Sequence, residues 1–120
     1  MSDLLSDLLC SLGITANYTG YYYIRCAVEL TASDSSHLVQ VTKDLYPTVA
    51  SRFSSTPSRV ERNIRHTAEL AWKTNPELLR QLAGHPMSQR PKTSQFIAIL
   101  TAEYKRLLTR EDTNGQQTFF

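Results

Sequence analysis

The fifteen residues SRVERNIRHTAELAW, Ser58 to Trp72, carry the densest chemistry in the chain: Arg59, Arg62, Arg65 and His66, with Glu61 among them. Arginine presents a planar fork of donors that matches the O6 and N7 acceptors of guanine, and a glutamate accepts from the amino group of cytosine. Read as a helix, the segment places Val60, Ile64, Thr67, Ala68, Ala71 and Trp72 on one broad face. Arg59, Arg62, Arg65, His66 and Glu69 then point outward or to the flanks. The polar face is basic near its N-terminus, the part of a recognition helix that reaches base edges while flanking residues touch phosphates. A second reading of the same spacing is a solvated pair between Glu61 and Arg65, four residues apart and worth a few tenths of a kcal/mol.

Other chemistries find little support. The histidines, His37, His66 and His85, are scattered and show no metal-type pairing with Cys10 or Cys26. No nucleophile stands beside a base, so neither an enzyme nor a metal or other cofactor is expected. Both cysteines lie in apolar-periodic stretches and read as buried thiols of a reducing compartment.

The basic segment needs a frame, and the punctuation of the chain supplies one. Leucines 4, 5, 8, 9 and 12 repeat at helical spacing behind a capping Ser2 and before Gly13. The run from Gly20 to Thr31 places Tyr23, Ala27 and Leu30 on one side, again helical. Ser33 to Ser36 should cap a helix through Leu38, Val41 and Leu45, and Pro47 should open a short one to about Phe53. Thr56 and Pro57 then form a cap and first position for the helix Ser58–Lys73. Asn75-Pro76 opens a further short helix that Gly84 ends. A last helix spans about Thr93 to Leu108, with Phe96, Ile97, Leu100, Tyr104, Leu107 and Leu108 as its apolar stripe. Tyr46 and Trp72 are expected in the core. The whole is an all-α bundle of about six helices containing a helix-turn-helix, over residues 1–110, with 111–120 a flexible tail.

Bulk properties agree with one packed domain. The chain has 120 residues, and its 41% hydrophobic content with six tyrosines is too apolar for a disordered segment. A net charge of +2 is too mild to argue a nucleic-acid partner by itself, so the local basic face carries that argument. Nothing approaches the roughly 18 apolar residues of a membrane span, and Asp3 and Asp7 stand where a signal peptide would be basic, so a cytoplasmic protein is expected.

Four strings, GYYYIRCAVEL, VTKDLYPTVASRF, SRVERNIRHTAELAW and TSQFIAIL, resemble in order and spacing the effector domain of the sporulation stage-zero response regulators. The resemblance runs from about Leu4 to Leu107, and the pattern SRVERxIRHxxExAW is long and specific. It implies an all-helical transcription regulator whose recognition helix enters the major groove of double-stranded DNA at short boxes, with adjacent protomers self-associating on tandem boxes. Its contacts fall on Arg59, Glu61 and Arg62 as base readers, and on Ser58, Arg65 and His66 as backbone-positioning residues. It also implies contact with RNA polymerase ahead of the last helix, where GHPMSQRPKTSQF is a few residues shorter than the family's stretch. The family's receiver domain has no counterpart in these 120 residues. A helical protein-interaction module that modulates a related regulator without binding DNA is therefore the alternative expectation.

Overall fold

A computed structural model of the chain describes the backbone of residues 3–117 and side chains through Glu111. Its α-helices are α1 (Leu4–Ser11), α2 (Thr19–Ser33), α3 (Tyr46–Arg52), α4 (Pro57–Thr74), α5 (Pro76–Ala83) and α6 (Thr93–Gln117). A 3-10 turn, Ser35–Leu38, and a π turn, Val41–Leu45, join α2 to α3. Helix α2 lies at the centre, packed against both α4 and α6, while α4 also touches α3 and α5. Fully buried Leu5, Leu9, Ile24, Val28, Ile64, Phe96 and Leu100 form one continuous core from α1, α2, α4 and α6.

The first helix is capped by Asp3 rather than Ser2, which lies outside the described residues. One carboxylate oxygen of Asp3 accepts from the amides of Leu5 at 3.1 Å and Ser6 at 3.2 Å, satisfying two donors the helix cannot. The other oxygen pairs with Arg25 of α2, and the Arg25 hydrogen bond is the main cause holding the Asp3 carboxyl below its usual range. Arg25 also reaches Glu29 at 3.1 Å, and Tyr21 joins it to Ser6 through its phenol at 3.3 and 2.9 Å. At the other end Gly13 takes φ +83°, and the Ile14 amide donates to the Leu9 carbonyl at 2.9 Å. That left-handed turn sets Ile14 beside Leu9 in the core.

A single helix was expected from Leu38 to Leu45, and two tighter and wider turns stand there instead. Asp34 caps a short 3-10 turn by accepting from the Ser36 amide at 3.0 Å. Pro47 has no amide to donate, and its ring would crowd the carbonyl four residues back in a regular helix. The backbone widens ahead of it, so the Tyr46 amide donates to Val41, five residues back. His37 and Asp44, 2.8 Å apart, tie the two turns together.

Three packing expectations need correction. Cys10 is exposed and Cys26 half-buried, because the buried face of α1 is taken by Leu5, Leu8 and Leu9, and Cys10 falls on the opposite side. Burial raises the Cys26 thiol above its ordinary value. Trp72 is half-buried rather than core, with the Arg80 guanidinium carbon 4.8 Å from its ring centroid. Helix α6 continues to Gln117, but Leu108 is 37% exposed, so the packed part of the stripe stops short of it.

Candidate nucleic-acid interface

Two helices and a short turn position the basic face. Helix α3 ends in a left-handed residue, Ser54 at φ +51°, and the Ser55 amide donates to the Ala50 carbonyl at 2.9 Å. This closes the last turn of α3 in the way a glycine usually does. Four residues, Phe53 to Thr56, separate the helices. The Thr56 hydroxyl accepts from the Arg59 amide at 3.2 Å, and Pro57 occupies the first helical position, where a missing donor costs nothing. Expected cap and proline therefore fall where the sequence put them, and α4 starts rigidly at its chemical end.

The core holds α4 by Val60, Ile64, Thr67, Ala68 and Ala71, all buried, as their spacing predicted. Helical phase then turns Arg62 to the middle of the solvent face, Arg59 and His66 to one flank, and Ser58 and Arg65 to the other. Ser58, Arg59, Arg62 and His66 are exposed, whereas Glu61 and Arg65 are half-buried. Among the described residues neither Arg59 nor Arg62 has a carboxylate within ion-pair distance, so both guanidinium forks face water. An unpaired, exposed arginine keeps its bidentate donors for an incoming acceptor.

Glu61 is placed differently. One oxygen lies 3.2 Å from Arg65, the helical pair anticipated from spacing, and the other accepts from the Thr93 hydroxyl of α6 at 3.1 Å. Its charge, after burial itself, helps push the Tyr46 phenol up to about 12, so Tyr46 stays a protonated donor throughout the physiological range. A depression between the π turn and the start of α4 is lined by Thr42, Tyr46, Ser58, Arg59, Arg62 and Arg65, among others. Sequence reasoning missed Thr42, Tyr46 and Thr93 here. Thr93 stands 32 positions from Glu61, and no local pattern joins them.

Other functions have less to work with. Among the described residues no three His, Cys, Asp or Glu side chains gather as metal ligands, and no helix is long and apolar enough to cross a membrane.

The basic face thus sits in an all-helical domain, on two helices joined by a short turn, the second carrying unpaired arginines on its outer face. The chain belongs to the family of the sporulation initiation factor Spo0A C-terminal domain, whose model matches residues 5–104. That family comprises DNA-binding effector domains of sporulation regulators, transcription-factor domains rather than enzymes. The match takes in α1 to α5 and the packed part of α6.

Proposed function

We propose that this chain is a sequence-specific double-stranded DNA-binding transcription regulator, with the N-terminal half of α4 in the major groove. The observation that carries the reading is the pair Arg59 and Arg62, exposed and without a carboxylate partner at the rigidly capped start of α4. In the groove these two read guanine edges, each good bidentate contact discriminating by about 1–3 kcal/mol.

Glu61 joins them as the acceptor for a cytosine amino group. Its two bonds leave free lone pairs on both oxygens, since a carboxylate accepts at about four sites. Thr93 and Arg65 hold the group in one orientation before DNA arrives, so less side-chain freedom is lost on binding. Ser58, Arg65 and His66, on the two flanks, position the helix against phosphates. With DNA as the partner, the protein would act in the cytoplasm. Contact with RNA polymerase and self-association on tandem boxes remain parts of the proposal that the family resemblance alone supports.

Titration of fluorescent duplexes at fixed salt tests this reading. A guanine-containing box enriched by the protein itself should bind about 10³-fold or more tightly than random duplex. Equal affinity for both would contradict sequence-specific reading, and no binding even at low salt, where phosphate attraction is greatest, would favour a protein-interaction module.

A further inference from the structure

Among the described residues a further depression lies on the side of α4 away from the surface described above. It sits where the start of α2 meets the middle of α4, lined by Tyr18, Thr19, Gly20, Asn63, His66 and Leu70. Helical phase puts Asn63 and His66 on this flank, opposite Ser58 and Arg65.

The approach of α2 is built into the sequence. A Cβ on Gly20 would stand 2.5 Å from the Asn63 carbonyl oxygen and 2.5 Å from the Thr67 methyl, so no other residue allows α2 this close to α4. The approach brings Tyr18, 43% exposed, and exposed Thr19 alongside exposed His66. No carboxylate lines the depression, and its polar groups are hydroxyls, an amide and an imidazole. The Asn63 amide already donates to the Arg59 carbonyl at 2.8 Å, so Tyr18, Thr19 and His66 are the groups left to donate to an anion.

Geometry says which anion. A helix with its side chains is about 10–12 Å across, and the major groove is about 12 Å wide, so a helix in the groove has a sugar-phosphate backbone on each side. The strand beside Ser58 and Arg65 meets the depression that Thr42 also lines. The other strand faces the flank of His66 and the start of α2.

We propose that Tyr18, which precedes α2, and Thr19, which opens it, form with His66 of α4 a second phosphate seat that holds the DNA strand opposite the one lying against Ser58 and Thr42. The proposal rests on α4 being the DNA-reading helix. Recognition is then a two-sided clamp, in which α2 contributes to affinity but not to base preference.

The test uses the intact chain and duplexes that it selects from a random pool, carrying single methylphosphonates that remove one phosphate charge at a time on either strand. The wild-type protein should lose affinity at phosphates on both strands. Thr19→Glu places a carboxylate in the seat at a helix start, where it favours folding. It should lower affinity about tenfold or more on every duplex, with base preference retained. A methylphosphonate at the seated phosphate should restore part of that loss. Tyr18→Phe should cost about threefold to tenfold and remove the penalty at that same phosphate. Wild-type affinity of a Thr19→Glu protein with unchanged helical circular dichroism would overturn the seat, as would penalties confined to one strand. Failure of the intact chain to select any duplex would overturn the DNA-reading assignment of α4, and the seat with it.

Discussion

The Thr93 hydroxyl, in the first turn of α6, donates to Oε2 of Glu61 on α4 across 3.1 Å. This bond joins the last helix of the chain to the face proposed to read DNA. A second tie lies nearby, where Arg90 of the preceding connector stands 3.6 Å from Glu69 on α4. Connector and α6 are thus each tied to α4 by one side-chain contact.

Thr93→Val keeps shape and removes the hydroxyl. The half-buried Glu61 carboxylate then loses one partner, and stability should fall by about 1 kcal/mol. Urea denaturation checks this through the midpoint at constant slope. Discrimination at the cytosine position should weaken as Glu61 gains freedom, while affinity for random duplex stays the same.

Gly20→Ala introduces the Cβ that meets Asn63 and Thr67 at 2.5 Å. The obstacle at Asn63 is helix backbone, which gives way less readily than a flexible side-chain tip. Helices α2 and α4 must separate, costing about 1–3 kcal/mol. A thermal melt should record a drop of several degrees, and DNA affinity should fall with it because α4 is displaced.

Ser54 carries the turn of the helix pair at φ +51°, a conformation that costs a residue with a Cβ about 1–2 kcal/mol. Ser54→Gly removes that cost but adds freedom to the unfolded chain, leaving a gain of about 0.5–1 kcal/mol. Chemical denaturation of the variant should show a higher midpoint, and a lower one would contradict the account of this turn.

Asp3 supplies the pH dependence. Its folded carboxyl is held below the ordinary value, first by the Arg25 hydrogen bond. The stabilisation is therefore present above the unfolded pKa, near 3.9, and is lost as pH falls through the folded value. Asparagine caps a helix as well as aspartate does, so Asp3→Asn isolates the charge. With the carboxylate side chain 45% exposed, solvent screening limits the difference from wild type to under about 1 kcal/mol at pH 7. That difference should shrink as pH falls below the unfolded pKa and vanish once the folded carboxyl is protonated, as followed by urea midpoints across the acid range.

The elements were legible in the sequence wherever a residue type forces a backbone event. Thr56-Pro57, Asn75-Pro76 and Gly84 begin or end helices at the expected positions. The apolar phase of Val60, Ile64, Thr67, Ala68 and Ala71 likewise set which face of α4 is outward. Two kinds of feature were not legible. The π turn before Pro47 arises from one missing amide acting on the preceding turn, while its apolar pattern still reads as a regular helix. The Thr93 contact with Glu61 and the approach of Gly20 to Asn63 join residues far apart in the chain, whose meeting is decided by packing alone. Exposure of Cys10 shows the same limit, since periodicity marks a helix more surely than it marks which apolar residues are buried.

Arg62, at the centre of the exposed face of α4, offers the most direct test of the central claim. Affinities of wild-type and Arg62→Ala proteins should be measured at about 0.15 M salt for the selected box, single-base variants of it and random duplex. The account predicts a loss of about 1–3 kcal/mol on the selected box, with preference relaxed at one guanine position and kept at the others. Unchanged affinity and unchanged preference at every position would contradict it.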